Sequence, residues 1–227
     1  MTTGTGTAAE TRAPRDGGAC PLCGAPDAAP YHRDGARAYL RCAACALIHV
    51  PARHHLTADQ EKQRYDLHNN DPGDAGYRRF LAQLFEPLAP RLAPGATGID
   101  YGCGPGPALA MMFEAAGFPM RLYDPFYAPD RGALAQTYDF LTCTEAAEHF
   151  ARPEREWRRI VALVRPGGWI GVMTSLYDEA PAFADWYYKN DPTHVCFYAR
   201  ATFERLAEDY RLQPFFPGGP VILLRRQ

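Results

Sequence analysis

Short apolar runs alternate with amphipathic segments along the second half of the chain. Runs rich in β-branched and aromatic residues predict strands, and apolar positions every three or four residues predict helices. The expected strands lie at 97–101, 120–123, 138–143, 169–174 and 221–224, and the expected helices at 107–116, 155–164 and 201–209. This alternation is typical of an open parallel sheet with helices on both faces, so we expect an α/β fold.

The first half of the chain has a different pattern. Its N-terminus shows no apolar periodicity, which indicates disorder. Two apolar runs, 39–42 and 46–50, fit a hairpin between cysteine pairs, and two helices are expected over 57–88 with a turn at 70–73. We therefore expect four parts: a disordered tail (1–18), a cysteine module (19–50), a helical linker or lid (51–90) and the main domain (91–227).

Composition and charge narrow the class of protein. At 227 residues the chain has room for one main domain and a small accessory element. A formal net charge of -2 argues against nucleic acid as a partner, and the arginine-rich stretch 152–165 fits the solvated face of a helix. No apolar run is long enough to span a bilayer and no secretion signal is recognisable, so we expect a cytoplasmic protein with no membrane partner.

A glycine-rich turn follows the first predicted strand of the main domain. Gly102, Gly104 and Gly106 are spaced Gly-x-Gly-x-Gly, whereas the third glycine of the dinucleotide fingerprint follows two intervening residues. This spacing favours a ligand that lacks a pyrophosphate. Asp124 follows the next strand, where an acidic side chain accepts hydrogen bonds from ribose hydroxyls. The turn and the carboxylate predict a nucleoside-cofactor site.

Over about residues 96–227 the chain resembles the class I S-adenosylmethionine (SAM) dependent methyltransferases, which implies a Rossmann-like fold. The motifs that carry the resemblance are Asp100 to Gly106, Tyr123-Asp124-Pro125 and Arg165-Pro166-Gly167-Gly168-Trp169. The resemblance implies that the cofactor is bound by Asp100, Gly102, Cys103, Gly104, Gly106, Asp124, Pro125 and Thr144. Only thirteen residues separate Asp124 from Tyr138, so the family's usual third strand is expected to be very short or missing.

A run with two glutamates and a histidine begins where the strand predicted at 138–143 ends. If a helical turn starts at Glu145, then Glu145, Glu148 and His149 share one face and can chelate a divalent cation. The run resembles two metal-dependent methyltransferase groups, those of ubiquinone biosynthesis and the small-RNA 2′-O-methyltransferases. That resemblance implies a second metal site, beside SAM, with the ligands Glu145, Glu148, His149 and His194.

Other interpretations of these residues stay open. The same motif fits a structural or SAM-contacting role without a metal. His149 or His194 also fits a catalytic base, with Glu145 as a further catalytic candidate, because an unperturbed imidazole titrates near neutral pH. The aromatic residues Trp186, Tyr187 and Tyr188 fit either the acceptor pocket or the core. The segment from Tyr65 to Arg78 fits either a lid over SAM or surface helix ends.

Four of the seven cysteines form two Cys-x-x-Cys pairs, Cys20 with Cys23 and Cys42 with Cys45. Their separation of eighteen residues suits a four-thiolate zinc site. Four sulfurs leave no open coordination position, so the zinc is expected to be structural; a redox dithiol is the alternative. The module resembles the ribbon that some bacterial methyltransferases carry before the catalytic domain, and it suits contact with the acceptor, a partner protein or the N-terminal helices.

The residues and the resemblance predict a SAM-dependent methyltransferase with an N-terminal zinc ribbon. We expect a small-molecule acceptor, with oxygen favoured over nitrogen or carbon, and optional help from a divalent cation. Transfer of the sulfonium methyl group demands alignment and a deprotonated acceptor more than covalent catalysis. The alternatives are an RNA 2′-O-methyltransferase, which would dock through its ribbon and arginines, and a non-catalytic SAM-binding adaptor.

Overall fold

Two β-sheets organise the chain, for which a computed structural model describes residues 18–26, 28–67, 70–180 and 182–227. The smaller sheet contains β1 (Ala29–Arg33), β2 (Ala38–Arg41), β3 (Ile48–His49) and β8 (Cys196–Phe197). The larger sheet contains β4 (Gly98–Tyr101), β5 (Met120–Tyr123), β6 (Tyr138–Thr144), β7 (Val164–Met173), β9 (Leu212–Gly218) and β10 (Val221–Arg226). The tail expected at 1–18 lies outside the described residues, apart from Gly18.

The larger sheet is mixed, with the strand order β5-β4-β6-β7-β10-β9. The first four strands in this order run parallel, whereas β10 pairs antiparallel with both β7 and β9. This corrects the expectation of a parallel sheet. The short turn at 219–220 accounts for the antiparallel pairing of β9 with β10, because a connection of this length permits only that arrangement.

Five α-helices accompany the sheets in the described part of the chain: α1 (Ala58–Tyr65), α2 (Ala75–Leu88), α3 (Ala108–Ala115), α4 (Pro153–Leu163) and α5 (Arg200–Tyr210). Side chains of β10 alternate between the two faces of the larger sheet. Val221 and Leu223 join the core formed with α2 and α3, while Ile222 and Leu224 join the core formed with α4 and α5. The expected helices on both faces are therefore confirmed.

The predicted pair of helices before the main domain is also confirmed, and side-chain caps fix where each begins. The hydroxyl of Thr57 and the side chain of Gln60 form a reciprocal capping box at the start of α1. The carboxylate of Asp74 accepts a hydrogen bond from the Tyr77 amide at the start of α2. No helix among the described residues has the length and apolar character needed to cross a membrane.

The smaller sheet joins the cysteine module to the main domain. The predicted hairpin is present as β2 and β3, and β1 extends it on one side. On the other side β3 pairs with β8, and the Val50 amide donates to the Val195 carbonyl at 2.9 Å. Neither β1 nor β8 was expected. Strand β8 has only two residues, and its extended conformation depends on pairing with a distant part of the chain.

The two outer strands of the larger sheet explain one missed element and confirm one expectation. Strand β9 was not predicted because it contains Pro214 and Pro217, which an edge strand tolerates since it has one free side. At the opposite edge, residues 125–137 contain a short helical turn, Ala133–Ala135, and no strand of the larger sheet. The missing third strand therefore leaves β5 as the other edge.

Candidate active site

The glycine turn after β4 forms the floor of a cavity at the carboxyl edge of the larger sheet. Gly102 and Gly104 have φ angles of 81° and 63°, a region that favours glycine. A Cβ on Gly102 would also lie 2.7 Å from the Ala146 side chain. One carboxylate oxygen of Asp124 accepts a hydrogen bond from the Gly104 amide at 3.1 Å, so this carboxylate is fixed against the turn.

The cavity has a volume of about 980 Å³, which leaves room for a nucleoside cofactor and a second small molecule. All the predicted cofactor and catalytic residues line it: Asp100, Gly102, Cys103, Gly104, Gly106, Asp124, Pro125, Thr144, Glu145, Glu148, His149 and His194. The topology thus brings together residues that the sequence places on three different strand ends and in one late loop. The candidate residues for the methyl donor and those for the methyl acceptor therefore line the same cavity.

Two polar groups at the cavity are held in states that suit an incoming ligand. Asp100 accepts a hydrogen bond from the Thr142 hydroxyl at 2.7 Å, and burial raises the pKa of Asp100 to about 6. The Thr144 hydroxyl is buried and has no hydrogen-bond partner among the described residues. A buried polar atom without a partner is costly, so a bound ligand that supplies a hydrogen bond at Thr144 would be stabilised.

The segment before α2 covers the glycine turn. Glu61 and Tyr65 of α1, Asn70 before α2 and Tyr77 in the first turn of α2 line the cavity. The Tyr65 ring meets the His149 ring edge to face, with the centroids 5.2 Å apart. Burial raises the pKa of Tyr77 to about 12, so its hydroxyl stays protonated. This placement is consistent with a lid, although His68 and Asn69 of the expected lid lie outside the described residues.

The helical face expected for the acidic run is not observed. Glu145 has a φ angle of 47°, and a short 3-10 turn begins only at Ala147. Glu145 therefore does not share a helical face with His149. Potential ligand atoms of Glu148, His149 and His194 all lie within 4.8 Å of one another, and Glu145 is not part of this group. We refer to these three residues as the Glu-His-His group.

Hydrogen bonds fix each member of the Glu-His-His group. Nδ1 of His149 lies 3.1 Å from the Thr193 carbonyl, and Nδ1 of His194 lies 2.7 Å from the Tyr188 carbonyl. A carbonyl only accepts, so each Nδ1 donates, and in the neutral form of the ring Nε2 carries the lone pair. The fully buried Glu148 carboxylate accepts from the Thr174 hydroxyl at 2.9 Å and from the Tyr188 hydroxyl at 2.6 Å.

Electrostatics keep two of the neighbouring groups uncharged. Burial lowers the pKa of His194 to about 4. Burial and the Glu148 carboxylate raise the pKa of Glu145 to about 9. The site at neutral pH therefore holds a neutral His194 imidazole and a protonated Glu145. Imidazole in this form can bind a metal ion or accept a proton.

The aromatic run at 186–188 belongs mainly to the core. Trp186 and Tyr188 are buried and stack on each other, whereas Tyr187 is 75% exposed. None of the three lines the cavity. The role of Tyr188 as a hydrogen-bond donor to Glu148 was missed, because a tyrosine that supports a carboxylate looks in sequence like any core aromatic residue.

The arginines of α4 only partly fit the solvated-face interpretation. Arg158 is 70% exposed and pairs with Glu154 on the same helix. Arg152, which precedes α4, Arg155 and Arg159 line the cavity, and of these Arg152 and Arg155 are also exposed to solvent. Arg159 is held there by the Tyr101 hydroxyl at 3.1 Å and by Glu156 at 3.0 Å.

The four cysteines of the N-terminal pairs converge on one point. The Sγ atoms of Cys20 and Cys45 are 3.6 Å apart, as are those of Cys23 and Cys42. All four lie within 4.8 Å of one another. A tetrahedral ion with zinc–sulfur distances of about 2.3 Å needs sulfurs about 3.8 Å apart, so the arrangement fits zinc. The other three cysteines, Cys103, Cys143 and Cys196, are buried, as is common for free thiols.

Comparison with solved structures defines the class of fold. Magnesium protoporphyrin IX methyltransferase from Synechocystis PCC 6803, with bound S-adenosylhomocysteine (SAH), aligns at 13% identity over 74% of this chain and 94% of that chain, with a TM-score of 0.51. An O-methyltransferase family protein from Burkholderia thailandensis aligns at 18% identity over 75% of this chain, with a TM-score of 0.46, and the alignment spans only 63% of that protein. The chain has the class I fold of SAM-dependent methyltransferases.

The sequence itself defines the family. A family model described as a methyltransferase domain matches residues 74–214, more than half of the chain, so the chain belongs to this methyltransferase family. The match begins at the N-cap of α2, which leaves the cysteine module and α1 outside it. No curated protein matches the chain.

Proposed function

We propose that the chain transfers the methyl group of SAM to an oxygen atom of a small-molecule acceptor. The observation that carries this proposal is the position of the Glu-His-His group in the same cavity as the glycine turn and Asp124. The donor side fits SAM, because Asp124 lines the cavity at the strand end where an acidic side chain accepts from ribose hydroxyls. Asp100, the turn and the unpartnered Thr144 hydroxyl surround the remaining space.

The Glu-His-His group is proposed to act on the acceptor. A carboxylate and two imidazoles with free Nε2 atoms suit a divalent cation with open coordination positions, and a bound cation would lower the pKa of an acceptor hydroxyl. Glu148, His149 and His194 would hold it, each fixed by the hydrogen bonds described above. Without a cation, the Nε2 of His149 would take the hydroxyl proton itself, because burial lowers the pKa of His194 to about 4 and so makes its imidazole a weak base.

The experiment that tests this proposal combines binding, metal content and turnover. Calorimetry with SAH measures the donor site alone. Methyl transfer from labelled SAM is then measured on a panel of hydroxyl, amine and carbon acceptors, with and without chelator. Oxygen methylation that chelator abolishes and Mg²⁺ or Mn²⁺ restores supports cation assistance, and full activity in chelator supports the histidine base. SAH binding without turnover on any acceptor would contradict the proposal and favour an adaptor.

An RNA acceptor is the second candidate, favoured by the three arginines that line the cavity. Transfer to the 2′-hydroxyl of a short RNA, with binding that falls steeply as salt rises, would support it over a small molecule.

We also propose that zinc in the four-cysteine site is structural, since the sulfur spacing fits a closed tetrahedral site. Cys45→Ser should remove about one zinc per chain and destabilise the smaller sheet, while Cys103→Ser should leave the zinc content unchanged. Retention of a full zinc equivalent by Cys45→Ser would contradict this assignment.

A further inference from the structure

A buried arginine of the cysteine module holds the loop that carries His194. Arg37 lies just before β2 and is 7% exposed. One terminal nitrogen of its guanidinium donates to the carbonyls of Pro192 at 3.1 Å and His194 at 3.0 Å. The other terminal nitrogen donates to the carbonyls of Lys189 and Asp191, and Nε donates to the Tyr39 hydroxyl at 3.3 Å.

These contacts use the full donor capacity of the side chain. A guanidinium has five N–H groups in a fixed planar fork, and Arg37 places all five on oxygen atoms. Four of these oxygens belong to the main chain of one short segment, 189–194. The segment is therefore wrapped around the cation, and a lysine with three donors could not satisfy the same set.

The held segment also connects directly to the Glu-His-His group. The Thr193 carbonyl accepts from His149, and the Val195 amide donates to the Glu148 carbonyl at 2.8 Å. The Val195 carbonyl in turn accepts from the Val50 amide of the module. Arg37 is itself fixed, because the Asp34 carboxylate accepts from the Arg37 amide at 2.7 Å and from the Tyr39 hydroxyl at 2.7 Å.

We propose that Arg37 is a positioning residue for methyl transfer, through which the cysteine module sets the orientation of His194. The inference rests on the proposed function only where it assigns His194 a part in the reaction. It gives the module a role inside the active site rather than at a separate docking surface. The evidence for this role is the set of carbonyls that accept hydrogen bonds from Arg37, because a buried carbonyl without a donor is unfavourable.

The test observes the His194 ring directly in the full-length chain. NMR of a sample with ¹⁵N-labelled histidine distinguishes the Nδ1–H tautomer, and His194→Gln assigns the signal. In Arg37→Met we expect loss of the single tautomer, with hydrogen exchange of the Val195 amide about tenfold faster. SAH affinity and zinc content should stay within about twofold. Arg41→Gln is the matched control on β2, because Arg41 is exposed and donates to the Tyr177 hydroxyl instead.

Each outcome decides the proposal. A folded Arg37→Met variant with an unchanged His194 ring signal overturns the proposal. Loss of SAH binding as large as the loss of the His194 tautomer also overturns it, because that result would indicate a general structural role. If Arg37→Met fails to fold, Arg37→Lys decides, and a His194 signal identical to that of the parent chain overturns it. Where turnover is measurable, kcat should fall about tenfold with KM for SAM unchanged. Absence of turnover in the parent chain would contradict the proposed function, while the ring signal would still test Arg37.

Discussion

The imidazole rings of His149 and His194 meet edge to face in the cavity, with their centroids 4.8 Å apart. The first follows β6 and the second precedes β8, so the larger sheet and the smaller sheet each present one ring. Both rings direct Nδ1 to a main-chain carbonyl, and Nε2 of His149 lies 4.0 Å from a carboxylate oxygen of the buried Glu148. We propose that the pair acts together on one acceptor atom.

Replacing either histidine should abolish most of the methyl transfer without affecting the donor site. We expect His149→Ala and His194→Ala each to lower kcat by roughly 10² to 10⁴, the usual contribution of a positioned acid, base or ligand. SAH affinity by calorimetry should change by less than about twofold. His55→Ala is the control, because that ring bonds the Val50 carbonyl and lies outside the cavity. Full turnover by either cavity variant would exclude it from the reaction.

Gly106 should be needed for the segment that contains Asn70 to lie over the cofactor. A Cβ at this position would lie 1.8 Å from the Asn70 carbonyl oxygen, a separation that no side-chain rotation relieves. We expect Gly106→Ala to displace this segment and weaken SAH binding about tenfold or more, as measured by calorimetry. Gly35→Ala is the control, since a Cβ there meets nothing within 4 Å. Equal SAH affinity in Gly106→Ala and the parent chain would rule out this arrangement.

The sequence predicted the parts of the site that depend on local backbone chemistry. The glycine turn and Asp124 could be recognised because a tight approach to a ligand requires glycine at fixed spacing. Strand β5 was predicted at its observed bounds for a similar reason, since its apolar run lies between turn residues. The helical face expected for Glu145 is not observed, because the backbone is left-handed at that residue.

Features that depend on distant main-chain atoms left no trace in the sequence. Arg37 donates to four main-chain carbonyls, and every residue type supplies a carbonyl, so no side-chain pattern predicts the contact. Strand β8 is two residues long, too short for any periodicity. The prolines of β9 argue against a strand unless its position at the sheet edge is known.

Asp100 should make the SAM-free chain less stable as pH rises. Its folded pKa of about 6 lies above the ordinary value of 3.8, so its contribution to stability is fully present below about pH 4 and is lost as pH passes 6. We expect Asp100→Asn to become more stable than the parent chain across this window, by about 3 kcal/mol at most in urea unfolding. Asp100→Asn should also lose SAH affinity.

Asp139→Asn should change the free energy of unfolding in the opposite direction to Asp100→Asn in the same urea experiment. Hydrogen bonds from Thr97 and the Arg165 guanidinium hold the pKa of Asp139 below its ordinary value, although burial opposes them. Its stabilisation is therefore present at neutral pH and lost on acidification. Parallel pH profiles for Asp100→Asn and the parent chain would contradict the assignment for Asp100.

Gly24 should matter for zinc affinity through its backbone alone. It follows the second cysteine of the first pair with a φ angle of 71°, and a Cβ there would meet nothing within 4 Å. Ala46 holds the equivalent place after Cys45 with a φ angle of 59°, so a methyl group is tolerated there at a cost in strain. We expect Gly24→Ala to cost about 1 kcal/mol and weaken zinc binding about fivefold in a competition assay with a metallochromic chelator.

Gly117→Ala is the matched control, because Gly117 has a φ angle of 87° and equal open space but lies after α3. It should lower thermal stability and leave zinc affinity unchanged, and equal zinc affinity in both variants would show that the turn at Gly24 does not shape the site.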